Sequence, residues 1–240
     1  MTTDKVYAHP RESIEAFQFD AGVADVFENM INRSVPGYAL ILDLIGLVTE
    51  KYAVPDTNCY DLGCSLGAAT LMMRRHLPPS CRVIGVDNSP AMIERCRANV
   101  ARDHSGAAIE IIEQDLRTIS ITNASVVVMN FTLQFVPAFE RAELLARIAS
   151  GLVPGGVLLL AEKVRFENTD VQTFMTDLHH EFKRQQGYSD LEIAQKRAAL
   201  ENVLVPDTET QHTERLLSAG FNEVYSLTRC MNFSAFLAIR

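Results

Sequence analysis

Between Asn58 and Lys163 short apolar runs alternate with helix-like segments, and this alternation constrains the chain more than any other feature. "NCYDLG" reads as a strand, followed by a helix over Leu66 to Leu77. "RVIGVD" is the next strand, followed by a helix over Pro90 to Asp103 with proline in its first turn. "AIEIIEQD" and "SVVVMNF" are two more strands, Phe139 to Gly151 is a helix, and Pro154-Gly155-Gly156 turns the chain into "VLLLAEK". The strands are largely continuous Val/Ile/Leu runs, as strands buried on both faces must be. Strand–helix alternation of this kind predicts an α/β fold with a Rossmann-like, doubly wound parallel sheet.

With 240 residues, 48% of them hydrophobic, one sizeable core over residues 1–240 is expected. Around the alternating region lies a helical N-terminal cap at about 17–53, broken by Val35-Pro36-Gly37. After it, Asp170 to Gln186, Ser189 to Val203 and Thr208 to Ala219 read as helices, the segment of about 165–205 forming a lid or an interface. "FNEVYSLTRCMNFSAFLAIR" supplies two closing strands.

No run of about 18 apolar residues exists, so no membrane span is expected, and "MTTDKVYAHPRESIEAF" lacks the apolar stretch of a signal peptide. The five cysteines are scattered without a C-x-x-C pair, which argues against a zinc site or disulfide framework and suits a reducing cytoplasm. A net charge of −8 disfavours direct nucleic-acid binding.

In such a sheet a ligand sits beyond the carboxyl ends of the strands. Gly63, Cys64 and Ser65 follow the first strand, Asp87 and Asn88 end the second, Asp115 follows the third and Asn130 ends the fourth. Gly63 and Gly67 let a backbone approach a ligand without a Cβ in the way. Asp87 suits two ribose hydroxyls, and Asp115 could accept from an adenine amine. Asp61 adds negative charge beside the glycine turn, which a pyrophosphate would dislike and a sulfonium or ammonium would welcome. Any one of these acids alone also fits a helix cap or a turn. The D-x-G-x-x-x-G form with acids at three strand ends favours S-adenosylmethionine (SAM) over a dinucleotide.

"YDLGCSLG", "GVDNSPAMIERCR" and "LVPGGVLLLAEK" together resemble the class I SAM-dependent methyltransferase fold, over roughly Asp56 to Lys163. The final strands suit that family's antiparallel ending. "NFTLQF" after the fourth strand lacks the prolines of amine methyltransferases, and no Cys, His or Glu is obviously placed there as a base. His179 and His180 point to different helix faces, so they make poor joint metal ligands and read as surface or interface residues.

"NRSVPGY", "DLGCSLGAATL", "DNSPAMIERCR", "NFTLQF", "HHEFKRQQGYS" and "EIAQKRAALENV" go further: from about Phe17 onward they closely resemble the carboxy-S-adenosyl-L-methionine synthase family. The resemblance implies conversion of SAM and prephenate to carboxy-SAM and phenylpyruvate, the product serving a tRNA carboxymethyltransferase that modifies the wobble uridine. It implies a homodimer and no metal. An ylide, formed when the sulfonium methyl loses a proton, would capture carbon dioxide, with substrate fragments supplying the base.

The resemblance assigns Tyr38, Gly63, Cys64, Ser65, Asp87, Asn88, Asp115, Leu116 and Asn130 to the nucleoside. It assigns Arg197 to the new carboxylate, which an arginine fork can hold with two parallel hydrogen bonds. On spacing alone Arg197 is a solvated helix residue paired with Glu201 at i+4, and Lys196 points elsewhere. The stripe Phe174, Leu178, Phe182 reads as packing, in the core or between subunits. A conventional SAM-dependent methyltransferase acting on a small molecule or RNA, and a non-catalytic SAM-binding module, remain the alternative readings.

Overall fold

The computed structural model describes residues 2–104 and 106–240. Two helices open it, α1 (Ala21–Ser34) and α2 (Tyr38–Tyr52). They meet at 98° because Pro36 and Gly37, the latter at φ 80°, stop one helix and start the next.

A seven-stranded sheet follows: β1 (Asn58–Leu62), β2 (Arg82–Asp87), β3 (Ala108–Glu113), β4 (Ala124–Asn130), β5 (Leu152–Lys163), β6 (Glu223–Cys230) and β7 (Phe233–Ile239). Its order is β3-β2-β1-β4-β5-β7-β6. The first five strands are parallel, and β7 inserts antiparallel between β5 and β6. The chain reverses its winding between β1 and β4, so the carboxyl ends of those strands form the switch point at which a crevice opens.

Alternation along each strand separates two apolar layers. On β4, Val127 and Met129 face α5 (Arg141–Gly151) and α8 (Glu209–Ser218), where Leu144, Leu145, Ile148 and Leu216 are buried. Val126 and Val128 face α2 and α3 (Ala68–His76), where Ile41, Ile45 and Met73 are buried. Each such fully buried aliphatic side chain contributes about 1.5–3 kcal/mol. The helix α4 (Pro90–Arg102) covers β2 and β3, and starts where Ser89 caps it by accepting from the Met92 N–H at 3.2 Å.

Two further helices, α6 (Thr169–Gln185) and α7 (Asp190–Leu200), arch over the crevice. A capping box of Ser189 and Glu192 starts α7. The N-terminal segment is strapped to α7: the Gln195 amide donates to the carbonyls of Tyr7 and His9, and the Phe17 N–H donates to Ala199 O at 2.9 Å.

Beneath the crevice Arg141 is 1% exposed. Its guanidinium donates to the carbonyls of Val136, Gln134 and Val205 and to Asp207 at 2.6 Å, which fixes the β4–α5 loop. Among the described residues no single helix is long and apolar enough to cross a membrane.

Candidate active site

The turn after β1 is built by packing. Gly63, at φ 83°, donates to Val86 O at 2.8 Å, and a Cβ there would lie 2.3 Å from Thr132 Oγ1. Gly67, at φ 87°, opens α3, and a Cβ there would lie 2.8 Å from Cys96 Sγ. Both glycines are therefore demanded by neighbouring side chains as well as by left-handed backbone. The Cys64 thiol is buried and its pKa is pushed up, first by its contact with Cys96 and then by burial.

Asp87 ends β2 and organises the same turn. Its carboxylate accepts from the Ser65 N–H and the Ser89 N–H, both at 2.9 Å. Burial outweighs these donors and raises its pKa. Asn88 beside it is exposed.

Asp61 is 1% exposed and accepts from Thr70 Oγ1 at 2.6 Å. Its other oxygen, Oδ1, is buried without a partner among the described residues, and burial pushes its pKa up to about 6. Asn130 ends β4 with its Oδ1 likewise buried and unpartnered. Orphaned acceptors of this kind are rare unless a ligand satisfies them. Here both face one cavity of about 1050 Å³.

Nine of the ten sequence-predicted site residues line that cavity: Tyr38, Gly63, Cys64, Ser65, Asp87, Asn88, Asp115, Leu116 and Asn130. Tyr38 is buried, with its ring centroid 6.4 Å from that of Phe131, and burial raises its pKa, so the hydroxyl stays a neutral donor. Asp115 lies at the outer end, paired with Arg117 at 2.6 Å, which lowers its pKa. Arg117 is shared with Glu140 at 2.9 Å. Three acids and two orphaned oxygens at strand ends fit a nucleoside that carries positive charge and no phosphate. SAM has that chemistry.

Arg197 stands apart. It is exposed on α7 and lies outside the cavity wall, while its neighbour Lys196 is buried in that wall. Adjacent Lys196 and Arg197 do point different ways, as expected, and it is Lys196 that faces the cavity. Lys196 shares a helix stripe with Ile193, Ala199 and Leu200, and the packing of that stripe turns it inward. Lys196 Nζ donates to Ser34 Oγ at 3.1 Å and lies 4.0 Å from Asp4 Oδ2.

The reading of the two histidines as surface or interface residues is corrected for His179 alone, since His180 is partly exposed. His179 is 4% exposed, its Nε2 lies 2.8 Å from Ser34 O, and its ring stands edge-on to Phe233 at 5.0 Å. Burial first, then Lys183, pushes its pKa down to about 3, so the imidazole is neutral.

Helix α6 is inverted relative to ordinary amphipathic packing. Phe174 and Leu178 are exposed, while His179 and Lys183 line the cavity. The stripe read from sequence is therefore not core at Phe174 and Leu178.

Sequence reasoning missed Glu162. It is fully buried at the end of β5, and its carboxylate accepts from the N–H groups of Thr132, Leu133 and Gln134 at 3.2, 2.8 and 3.0 Å. It fixes the loop that follows Asn130. Burial pushes its pKa up to about 8 against those three donors. The acid in "LLLAEK" was the available signal, because an acid closing a buried strand must have donors.

Among the described residues no group of three or more His, Cys, Asp or Glu is arranged to hold a metal ion.

The sheet order and the strand-end site define a SAM-dependent methyltransferase-like fold. The methyltransferase domain family matches residues 60–156. A solved human N-acetylserotonin methyltransferase in complex with SAM superposes with a TM-score of 0.61 at 18% identity, over 92% of this chain and 55% of that one. A solved O-methyltransferase family protein from Burkholderia thailandensis gives 0.64 at 20%, over 92% and 60%. This chain thus spans less than two thirds of those structures, and the likeness concerns the fold.

Curated sequences are far more similar. Carboxy-S-adenosyl-L-methionine synthase of Hahella chejuensis is 54% identical over 99% of this chain and 98% of its own length. Those of Marinobacter nauticus and Shewanella putrefaciens are 53% and 50% identical, over 99% of this chain and 95% and 98% of their own. The chain belongs to the carboxy-S-adenosyl-L-methionine synthase family, a family of enzymes.

Proposed function

We propose that this chain converts SAM and prephenate to carboxy-SAM, phenylpyruvate and water. The observation that carries the reading is one continuous cavity with acids at the strand ends and ammonium groups under the lid. A cationic nucleoside and an anionic second substrate can lie there together, out of water.

The reaction balances without a protein base. The ring–carboxylate bond of prephenate breaks, releasing carbon dioxide, and the ring loses its hydroxyl as it aromatises. That hydroxide takes the proton from the sulfonium methyl and leaves as water. The methyl carbon forms the new bond to carbon dioxide.

The protein's work is position and dryness. Asp87 would hold the ribose hydroxyls, Asp115 the adenine edge, and Asp61 the charge of the methionine portion. Tyr38 and Asn130 would frame the methyl group, while Phe17, Phe19 and the lid helices keep water out.

Arg197 would hold the new carboxylate. Exposed on α7 yet near enough to Lys163 to lower its pKa, it would reach the site from the rim, in its own subunit or in a second copy of the chain. The exposed apolar face of α6 at Phe174 and Leu178 supports a homodimer formed through the lid. The product would supply a tRNA carboxymethyltransferase in the cytoplasm. The acidic net charge of −8 fits a role in which this chain makes the donor and does not itself contact tRNA.

Mass spectrometry of purified protein incubated with SAM and prephenate tests the reading. A species with the mass of SAM plus carbon dioxide should accumulate together with phenylpyruvate. S-adenosylhomocysteine as the only product, with prephenate intact, would replace this reading with a conventional methyl transfer.

A further inference from the structure

Helix α6 turns its polar face inward, and the wall it forms with β5 and α7 is basic. Lys163 ends β5, Lys183 lies on α6 and Lys196 on α7, and all three line the cavity. Among the described residues neither Lys163 nor Lys183 has an ion-pair partner, and Lys196 has only Asp4, at 4.0 Å. Asp4 is itself engaged by the Tyr188 hydroxyl at 2.6 Å.

Ammonium groups gathered in a desolvated wall repel one another, and burial disfavours each charge. The electrostatics register this strain. Burial and then the neighbouring lysines push Lys183 down to about 7. Burial pushes Lys196 down to about 8 in spite of Asp4. Lys163 is lowered by burial and by Arg197. A wall of this kind is suited to an anion supplied by a ligand.

The cavity has room for one. At about 1050 Å³ it sits at the top of the roughly 300–1,000 Å³ usual for a single small-molecule site. Lys163 follows Glu162 and lies one strand from Asn130, since Asn130 pairs with Ala161. The basic wall therefore begins where the cationic nucleoside's end of the cavity stops.

We propose that Lys163, Lys183 and Lys196 form the subsite for the carboxylate that the second substrate keeps, the one on its 2-oxo acid side chain. This rests on the functional reading above. Holding that carboxylate under the lid leaves the ring carboxylate, the one to be expelled, aimed at the strand ends by Asn130 and Tyr38. Neutral His179 packs between Phe233 and Ser34 and keeps the wall in place without adding charge. These lysines touch substrate as ammonium groups but transfer no proton in the reaction.

Phenylpyruvate is the probe that separates this subsite from the chemistry, because it retains only the side-chain carboxylate. Binding of phenylpyruvate and of prephenate to the full chain with SAM present would be measured by calorimetry. Lys163→Met and Lys183→Met should each weaken both acids by about 10- to 100-fold, the size expected when a charged hydrogen bond is lost. SAM affinity should hold, and Tm should not fall, since each change removes a desolvated charge. Lys183→Arg should restore binding. Lys51→Met, on the exposed face of α2, should change nothing.

Wild-type affinity for phenylpyruvate in the two methionine variants would overturn the subsite. So would an equal loss of SAM affinity, which marks a structural role. A wild-type protein that binds phenylpyruvate through these lysines yet makes no carboxy-SAM would instead overturn the functional reading and leave the subsite standing.

Discussion

The two walls of the cavity are made in opposite ways. The acid wall lies on the strand ends and the turns that follow them, where sheet register fixes each backbone. Asp87 is held by two N–H groups, and Asp61 by Thr70. The basic wall lies on two lid helices and one strand end, and its charges have few partners. One wall has its carboxylates anchored before a ligand arrives and leaves only Asp61 Oδ1 and Asn130 Oδ1 to it, whereas the other depends on the ligand for its counter-charge. A site that must hold a cation rigidly and admit an anion between turnovers is well served by that division.

Breaking the floor that both walls share should have the largest effect. Glu162→Ala leaves three buried N–H groups without an acceptor, each worth about 1–3 kcal/mol. Thermal unfolding should show a loss of about 3 kcal/mol or more, and both ligands should bind poorly. A Tm close to wild type would mean that the loop after Asn130 is held by other contacts.

Next in size is Asp87→Ala, which attacks the acid wall alone. Two charged hydrogen bonds within the protein and those to the ribose disappear, at about 1.5–3 kcal/mol each. SAM, carboxy-SAM and S-adenosylhomocysteine should all weaken by at least about tenfold. Unchanged affinity for all three would remove the ribose assignment.

Arg197→Ala is expected to keep adenosyl binding and to reduce the preference for carboxy-SAM over SAM by about tenfold or more. An unaltered affinity ratio would take Arg197 out of the site.

The smallest effect sharpens the basic wall by pH. Lys183 sits near 7 and Lys196 near 8, facing Lys163 from β5, His179 and His180 from α6, Arg197 from α7, Arg33 and Ser34 from α1, and Asp4. Both pKa values lie below the ordinary lysine value of 10.5. Without ligand these lysines therefore lower stability at pH below 7, and the loss is relieved as pH rises through 7–8 toward 10.5. Anion binding runs the other way, since ammonium is lost over the same interval. Phenylpyruvate affinity should fall between pH 6 and 9 by up to about tenfold per pH unit, with proton uptake on binding near pH 8. A flat profile would show that the anion does not meet these lysines.

The acid wall was legible in the sequence, and the basic wall was not, for a physical reason. Continuous Val/Ile/Leu runs mark buried parallel strands, so the residues that end them mark the crevice; Asp87 and Asn130 could be placed without coordinates. Positions on a helix have no such marker. Adjacent Lys196 and Arg197 must face different ways, but which one faces inward depends on what α7 packs against, here the N-terminal strap through Phe17 and Tyr7. The faint signal was that Lys196 falls in phase with Ile193, Ala199 and Leu200. On α6 the visible stripe left open core or subunit packing, and the outward face of Phe174 and Leu178 excludes only the core. The glycines were located correctly, yet Thr132 and Cys96, both distant in sequence, account for why no side chain fits there.

The proposed reaction requires that both substrates share one cavity and that carbon dioxide passes directly between them. Prephenate carrying a ¹³C ring carboxylate, incubated with SAM and protein in buffer rich in unlabelled bicarbonate, tests it in one mass spectrum. Carboxy-SAM that retains the label, formed in step with phenylpyruvate, is the expected product. Carboxy-SAM labelled from the bicarbonate pool, or phenylpyruvate formed with no carboxylated nucleoside, would contradict it.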